Sequence, residues 1–296
     1  MSTPIVARSA RYGGGRMLWK QLTANRFTAL AVACVVAIVL LALLAPWLAP
    51  DSPTSVHLSQ RLSPPSARHW FGTDEVGRDL FSRILYGARI SVGVGLGSVL
   101  LAALAGTLLG AFSGYWGRWA DQGIMRLMDI LLSFPSIVLA MALAAALGPN
   151  LLNAALAIAI VKLPVYVRLA RAEALSISRQ LFVKAARTFG LGSGWIVTRH
   201  IIPNLLPPIV VQITLDLGDT ILLIATLGFL GLGAQPPTPE WGAMISVGWK
   251  YLLDQWWYPT LTGAAIFITV MSFNLLGDGV RDLLDPRRHE EGGRTS

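Results

Sequence analysis

The chain has 296 residues, of which 54% are hydrophobic and only 14% are charged, and its mean hydropathy is +0.58. A soluble domain carries about 25% charged residues, so this composition excludes an ordinary soluble protein and indicates a polytopic membrane protein. The formal net charge is +8. A basic balance often indicates nucleic-acid binding, but in a membrane protein we expect it to orient the chain and to meet anionic lipid headgroups. We therefore expect membrane lipid, and no nucleic acid, as a partner.

Residues that commonly carry chemistry are few. Cys34 is the single cysteine, which excludes an intrachain disulfide. The run Gly13–Gly15 opens no phosphate-binding motif, and we interpret it as a flexible linker. The four histidines have no metal-ligand spacing. The sequence therefore predicts no catalytic residue, no metal site and no cofactor; the histidines are His57, His69, His200 and His289.

Six segments are apolar enough to be membrane spans, each of which needs about 20 residues. The first is too long for the apolar region of a signal peptide, so we expect a retained helix. The last four are weaker candidates, because they are short or contain charges or prolines. Charges and prolines are tolerated in a membrane helix where neighbouring helices or water contact them. The predicted spans are 27–48, 90–112, 122–147, 151–169, 205–232 and 258–276.

The distribution of basic residues predicts that both termini lie in the cytoplasm. With that orientation, the cytoplasmic segments hold 17 of the 24 lysine and arginine residues and the outer loops hold six, as the positive-inside rule requires. We expect an all-α, multi-pass protein of the cytoplasmic membrane. Its expected parts are a tail at 1–26, a first helix and outer loop at 27–89, a five-helix core at 90–282 and a tail at 283–296.

The first outer loop, 51–89, begins with a Pro- and Ser-rich part that we expect to be irregular. Its last third has an amphipathic pattern, which predicts a helix lying in the membrane interface and leading into the second span. The segment Gly72–Asp79 carries three carboxylates and Arg78. Metal binding or catalysis is one interpretation, but the spacing of an EF-hand is missing. We expect instead a turn with a helix-capping Asp and local Arg pairs.

The second outer loop, 231–259, is rich in Pro and Trp. Large aromatic residues with a polar edge are common where a membrane meets water. We therefore interpret four residues of this loop as interfacial anchors, namely Trp249, Trp256, Trp257 and Tyr258.

Four motifs resemble those of one family. The chain is similar, over about residues 20–288, to permease subunits of the peptide/nickel branch of ATP-binding-cassette importers, the dipeptide and oligopeptide C-type permeases. Within that branch it most resembles dipeptide permeases, including those for D-alanyl-D-alanine-type dipeptides. The motifs are HWFGTDEVGRDLFSRILYGARIS at 69–91, SFPSIVLAMALAAALGP at 133–149, FLGLGAQPPTPEWGAMIS at 229–246 and FNLLGDGVRDLLDP at 273–286.

The resemblance implies a type I importer (MetI-like) permease fold with six transmembrane helices and no enzymatic activity of its own. It further implies two ATP-binding subunits that hydrolyse ATP, a second, homologous permease in a heterodimer, and a periplasmic or lipid-anchored binding protein that delivers a short peptide. The second outer loop is a candidate contact for that binding protein. Nickel, glutathione and longer peptides are alternative cargoes. An ion-coupled secondary transporter and an intramembrane enzyme are alternatives of other classes.

The loop at 171–204 is basic and contains three glycines between two apolar segments. Good helix formers over 173–188 predict a first helix, and the glycines predict a sharp turn after it. We expect a second short helix over 195–202 that Pro203 stops. The result would be a helical hairpin on the cytoplasmic side; an ordinary solvated loop is the alternative.

The same loop resembles the family signature E-A-A-x3-G-x9-I-x-L-P, which implies docking into a cleft of an ATP-binding subunit. Lys184 stands at the acidic position of the signature, and His200 stands at the position of its Ile. Large aromatic side chains in the hairpin are available for contact with a partner. The matching residues are Ala185, Ala186, Gly190 and Pro203, and the aromatic residues are Phe182, Phe189 and Trp195.

Charged residues inside the predicted spans must face protein or water, because a charge at the bilayer centre costs about 2.5–3.5 kcal/mol even on insertion scales. Asp216 and Asp219 lie three residues apart and so share a helical face. One hypothesis is that they line the translocation path together with Lys162 and bind a peptide's amino group. The alternatives are a structural ion pair, for example with Lys162, or a position nearer the cytoplasmic interface than the predicted span suggests. As rival functions, Asp129 and Lys162 would form a proton relay in a secondary transporter, and Asp216 and Asp219 would be the carboxylate pair of an intramembrane enzyme.

Overall fold

The computed structural model describes residues 26–284, except for the side chains of Arg118 and Leu284. Almost all of the two predicted tails, and with them the Gly13–Gly15 linker and His289, lies outside this range. Within the range the chain is mostly helical and has no named strand, so the all-α prediction is confirmed. The α-helices are α1 Arg26–Leu48, α2 Leu80–Trp116, α3 Arg118–Leu132, α4 Ser136–Leu147, α5 Leu151–Ser178, α6 Leu181–Thr188, α7 Ser193–Ile196, α8 Ile202–Phe229, α9 Trp241–Gly248 and α10 Trp257–Leu284.

Five helical segments among the described residues are long and apolar enough to cross a membrane: α1, α2, α5, the stretch from α7 through α8, and α10. α3 and α4 pass the same test only as a pair and are bent by 96° at their junction, as in a broken span or a re-entrant loop; counted as one span they bring the number to six. The predicted single helix over 122–147 is therefore wrong. Pro135 explains the break, because proline has no backbone N–H to donate and disfavours helical backbone at the residue before it.

The predicted interfacial helix before the second span is also wrong. Residues from Leu80 onward form one continuous 37-residue helix, α2, with no separate segment at its start. Its apolar Leu80 and Ile84 are buried in protein, and so are Ser82 and Arg83 on its polar side. The outer loop and α9 cover it; the indole N–H of Trp241 in α9 donates to the Ile84 carbonyl at 3.0 Å.

Glycines allow α2 and α5 to approach closely over the half of α2 that ends at Trp116. A β-carbon added to Gly110 would lie 2.5 Å from the Val167 carbonyl oxygen, and one added to Gly114 would lie 2.7 Å from the Arg171 oxygen. Within a membrane no hydrophobic driving force acts between helices. They associate instead through the van der Waals contacts that such small residues permit. The α2–α5 pair is the frame on which the other helices pack.

We expect Gly110→Val to destabilise the fold, because its side chain would overlap the backbone of α5. Overpacking in a core costs about 1–3 kcal/mol, so the thermal midpoint of the purified chain should fall by several degrees. Gly97→Val is the matched control on the same helix, since a β-carbon there meets no atom within 4 Å. Equal midpoints for the two variants would contradict the importance of this contact.

Candidate functional site

The loop at 171–204 forms a helical hairpin, with its elements placed differently from the prediction. The expected helix over 173–188 is divided, because α5 ends at Ser178 and α6 begins at Leu181. Gly190 follows α6 with φ of +76°, a conformation that glycine adopts without strain.

Two hydrogen bonds close the end of α6 around this glycine. The Leu191 N–H donates to the Ala186 carbonyl at 3.2 Å, and the Gly190 N–H donates to the Arg187 carbonyl at 3.0 Å. These two bonds with a left-handed glycine between them form a Schellman motif, which turns the chain sharply after a helix. Gly190 therefore sets the direction in which the chain enters α7.

Pro203 does not stop a helix, contrary to the prediction. A π-helical turn, Val197–Ile201, joins α7 to α8, and the helical segment runs without a gap from Ser193 to Phe229. The Ile202 N–H donates to the Val197 carbonyl, five residues back. Pro203 then lies in the first turn of α8, where its fixed φ suits a helix and its missing N–H costs little.

The hairpin has one face packed on the protein and one face exposed. Val183, Ile196 and Ile201 are buried in a cluster that also includes residues of α2 and α5. On the other face, Leu181 and Phe189 expose 84% and 85% of their surface. Exposed apolar side chains on a rigid, well-packed hairpin are typical of a docking surface. Lys184, Ala185 and Gly190 of the signature are exposed as well, as are Phe182, Trp195 and Pro203, whereas Ala186 is buried.

His200, at the position of the signature's Ile, connects the two arms of the hairpin. Its ring lies edge-on to Phe182 of α6 at 5.7 Å and to Trp195 of α7 at 4.9 Å between centroids. The guanidinium of Arg187 lies 4.7 Å from the centre of the Tyr115 ring on α2, a cation–π contact that fixes α6 to the frame. Two of the aromatic residues predicted for docking therefore also hold the hairpin together.

The hairpin is strongly basic. No Asp or Glu occurs between Glu173 and Asp216, and Lys184, Arg187 and Arg199 are all exposed. A surface of this kind attracts an acidic partner surface and repels a basic one.

The structure brings Lys162, Asp216 and Asp219 together, as predicted, but their environments differ. The Lys162 Nζ lies 2.9 Å from Asp216 Oδ1 and 3.8 Å from Asp219 Oδ2. The side chain of Asp216 is 9% exposed and also accepts a hydrogen bond from Gln212 Nε2, whereas that of Asp219 is 71% exposed. The predicted structural ion pair is therefore present: it is short and buried for Asp216, and longer for Asp219, whose carboxylate is largely exposed. The expected partner of Lys162 in a proton relay, Asp129, pairs with Arg168 instead.

The turn predicted for Gly72–Asp79 is confirmed. Asp79 caps α2, with its Oδ2 accepting from the Ser82 N–H at 2.8 Å. Arg78 donates through Nε to Asp74 at 2.6 Å and through Nη2 to Glu75 at 2.8 Å. Such satisfied, buried charge pairs are costly to break singly, so they fix the loop on the outer end of α2.

The outer loop also contains a cluster that residue spacing did not indicate. Asp51, His69 and Asp79 offer ligand atoms within 4.8 Å of one another, which is a possible metal geometry. Both ring nitrogens of His69 already have hydrogen-bond partners at 2.9 Å, namely Asp79 Oδ1 and Gln60 Oε1. We interpret the cluster as a hydrogen-bonded brace between the loop and the cap of α2.

The prediction of four interfacial anchors is wrong for two of them. Trp249 and Trp256 are exposed, as an anchor requires, but Trp257 and Tyr258 are buried. The Tyr258 hydroxyl donates to Glu75 Oε2 at 2.8 Å, so it ties the start of α10 to the first outer loop. The two loops are far apart in sequence, which is why composition alone did not reveal the contact.

Glu240, which precedes α9 outside the candidate spans, is fully buried. It caps α9 by accepting from the Gly242 and Ala243 N–H groups, each at 2.8 Å. Burial raises the pKa of the Glu240 carboxyl, and these two hydrogen bonds, with one from Ser91, oppose that rise. A carboxylate used as a cap is therefore held in a site that disfavours its charge.

Comparison with known proteins identifies the family to which this chain belongs. The family described as "binding-protein-dependent transport system inner membrane component" matches residues 106–290, and the "N-terminal TM domain of oligopeptide transport permease C" matches residues 15–65. The chain belongs to this family of inner-membrane transport components. It is a multi-pass membrane protein with the MetI-like permease fold, as the motifs implied.

Three relatives show the extent of the similarity. The chain is 53% identical to the probable D,D-dipeptide transport system permease protein DdpC of Escherichia coli (strain K12) over 98% of this chain and 96% of the relative. It is 47% identical to the dipeptide transport system permease protein DppC of Alkalihalophilus pseudofirmus, over 92% and 90%. It is 42% identical to the glutathione transport system permease protein GsiD of Escherichia coli O6:K15:H31, over 91% and 89%.

We expect Glu240→Gln to flatten part of the pH dependence of stability. The pKa of Glu240 is raised in the folded state, so folding favours its protonated form. The resulting stabilisation is fully present below pH of about 4.3, the ordinary pKa of a glutamate, and is lost as the pH rises through the raised pKa. Glutamine keeps an oxygen for the cap and carries no charge. Thermal midpoints from pH 4 to 8 should therefore fall more steeply for the wild type than for the variant. Glu240→Ala loses the cap and should be less stable at every pH by about 1–2 kcal/mol. If the thermal midpoints of the wild type and of Glu240→Gln changed with pH in parallel, the raised pKa of Glu240 would be refuted as the cause.

Proposed function

We propose that this chain is a permease subunit of an ATP-binding-cassette importer that moves short peptides, and dipeptides in particular, into the cytoplasm. The observation that carries the proposal is the basic hairpin with exposed Leu181 and Phe189, rigidly fixed to α2 and α5. The names of the relatives, which are dipeptide permeases for two of the three described above, supply the cargo. Glutathione, named for the third relative, is the second candidate; nickel and oligopeptides are further alternatives within the family.

The proposal includes the partners. Two ATP-binding subunits hydrolyse ATP, one of them on this hairpin and one on a second, homologous permease that completes a heterodimer. A periplasmic or lipid-anchored binding protein delivers the peptide to the outer loops, and both termini of this chain lie in the cytoplasm. The exposed apolar residues of the hairpin would fill a groove of the ATP-binding subunit. Lys184 and Arg199 would face acidic groups at its rim.

The coupling mechanism follows from the connections of the hairpin. α6 follows α5 after two residues, and α7 continues through the π turn into α8. Closure of the ATP-binding subunits would therefore move α5 and α8 together with the hairpin. These helices carry Lys162 and Asp216, so their movement would switch the cavity from outward-facing to inward-facing, a rigid-body transition between two states.

Asp219 is the residue that we place in the translocation path. It lies 17 residues after the start of α8 and 10 before its end, which corresponds to about 25 Å and 15 Å along the helix, so it is near mid-depth. An open carboxylate at that depth must face water or another subunit. In a path for peptides it would accept hydrogen bonds from the terminal ammonium group, while Asp216 holds Lys162 in place.

The rival functions have less support from the geometry. A proton relay between Asp129 and Lys162 would need the two to approach each other, and each has a different partner. A carboxylate pair for intramembrane catalysis would use Asp216, which is already neutralised by Lys162. Neither rival accounts for the exposed hairpin.

The function is tested by purifying the affinity-tagged chain from the membranes of its own host. We expect ATPase subunits to copurify and dipeptide uptake into proteoliposomes to require ATP and the binding protein.

Gly190→Val should leave membrane insertion intact but reduce ATPase recovery and uptake by about tenfold or more, because a β-branched residue is strained at positive φ. Gly192→Val, at φ of −64° with open space around it, should retain both. Uptake by the chain alone under an ion gradient would refute the proposal, and full coupling in Gly190→Val would refute the role of the hairpin.

Asparagine substitutions should separate the two aspartates. Asp216→Asn leaves Lys162 without its near partner and should cost about 3 kcal/mol of stability. Asp219→Asn should change stability by less than about 0.5 kcal/mol, since it removes an exposed charge, yet it should slow dipeptide uptake or raise the half-saturating concentration several-fold. Thermal midpoints and uptake kinetics measure the two effects. Unchanged uptake by Asp219→Asn would remove it from the path.

A further inference from the structure

A cleft of about 380 Å³ lies between α3 and α5. Its α3 residues follow the spacing of one helical face, and α5 contributes an arginine from the other side. The lining residues are Asp121, Gln122, Met125, Arg126, Asp129 and Arg171.

The helix α3 turns its polar face toward this cleft and its apolar face outward. Trp119, Leu127 and Ile130 are exposed on the outer side. This is the reverse of a surface helix in a soluble protein. In a membrane protein the apolar side meets lipid or another subunit, and ionisable groups on the inner side line a water-filled space.

Most charges of the cleft are already paired. Arg171 donates to both oxygens of Asp121, at 2.5 and 2.6 Å. Arg168 Nη2 donates to Asp129 Oδ1 at 2.6 Å. Among the described side chains Arg126 has no hydrogen bond or ion pair, and Asp129 Oδ2 accepts none. One guanidinium and one carboxylate oxygen therefore remain available, three residues apart on the same helix.

The break in the third span lies next to these groups. All residues from 132 to 138 are exposed, including Ser133 and Pro135 at the bend. Within a membrane, backbone outside a helix is tolerated only where it is buried in protein or lines a water-filled cavity. Ser133, four residues after Asp129, fits a water-filled cavity, whereas the exposed apolar residues around it fit cover by the second permease of the proposed heterodimer.

The cleft continues the line of charges that begins at Lys162 and Asp219. Arg168 lies six residues after Lys162 on α5, about 9 Å along the helix, on the side nearer to the hairpin. It is half-exposed. Charged groups thus occur at two levels between mid-depth and the end of the molecule that we assign to the cytoplasm.

We propose that the α3–α5 cleft is a second station of the translocation path and binds both ends of a zwitterionic dipeptide. The inference rests on the proposed function and names a binding site within it. Arg126 would donate to the terminal carboxylate, for which its planar guanidinium is suited, and Asp129 would accept from the terminal ammonium. Residues three apart on a helix are about 5–6 Å apart at their β-carbons. An extended dipeptide spans about 7 Å, and the long, flexible side chain of Arg126 can place its guanidinium at that distance from the Asp129 carboxylate.

The test uses cysteine protection in the complete transport complex in nanodiscs. Cys34→Ser removes the single cysteine, and Ser133→Cys places a thiol at the break, where its rate of reaction with a small maleimide is measured. We expect millimolar alanyl-alanine, as the L,L or the D,D form, to slow the reaction about threefold or more. Alanyl-alanine amide and N-acetyl-alanyl-alanine should each lose most of this effect, since losing one charge-assisted hydrogen bond costs about tenfold in affinity.

Arginine variants identify the group responsible. Arg126→Gln should abolish protection and reduce the maximal rate of dipeptide uptake about fivefold or more while ATPase recovery stays normal, and Arg126→Lys should restore part of both. The matched control is Arg89→Gln, which changes an exposed arginine at the outer end of α2 with no described partner and should behave as the wild type.

Three results would overturn the inference. They are equal protection by the free and blocked peptides, normal protection in Arg126→Gln, and protection that follows the anionic lipid content of the nanodisc instead of the peptide. Failure of the proposed function is distinguishable, because it appears in the unmodified complex as the absence of ATP-dependent uptake. ATP-dependent uptake without peptide-specific protection would refute the second station alone.

Discussion

The close approach of α2 and α5, which glycine permits, is the contact on which the rest of this structure depends. Where Gly110 and Gly114 meet the backbone of α5, the two helices end at nearly the same level. Ser113 of α2 and Arg171 of α5 can then converge on Asp121 of α3. The same two helix ends carry the buried cluster that seats the hairpin. A wider separation would displace both the cleft and the coupling element.

The charges of the membrane region fall into two groups, and burial distinguishes them. Asp216 and Asp121 are paired with Lys162 and Arg171, and pairing offsets the large cost of removing a charge from water. Asp219, whose carboxylate is exposed and 3.8 Å from Lys162, and Arg126, which has no described partner, remain open to solvent, and no packed apolar surroundings would tolerate them. A peptide carries one charge at each end. Along a water-filled path with charged side chains at intervals, it can move from one side chain to the next without crossing an apolar barrier.

Sequence patterns predicted the features that depend on neighbouring residues. The Asp79 cap, the local Arg78 pairs and the hairpin turn at Gly190 follow from residues within a few positions of one another. Features that depend on distant segments were missed or wrong. The start of α2 has an amphipathic pattern, but its polar side is buried too, because the preceding loop folds back over it and Trp241 reaches it from a distant part of the chain. The spacing predicted that Asp216 and Asp219 share a helical face. It could not show that Asp216 is buried against Lys162 of another helix while Asp219 is exposed.

The error at Pro203 changes the mechanical interpretation of the molecule. A helix stopped at that proline would leave a joint between the hairpin and the membrane, and movement at the hairpin would be absorbed there. The π turn at Val197–Ile201 instead keeps the segment from Ser193 to Phe229 helical over 37 residues, about 55 Å in length. In the proposed cycle, a displacement of Trp195 by an ATP-binding subunit therefore reaches Asp219 through one continuous rod. Both the π turn and the Pro207–Pro208 pair lie between these two residues, so the stiffness of the helix at these two places, rather than that of a loop, decides how much of the movement reaches Asp219.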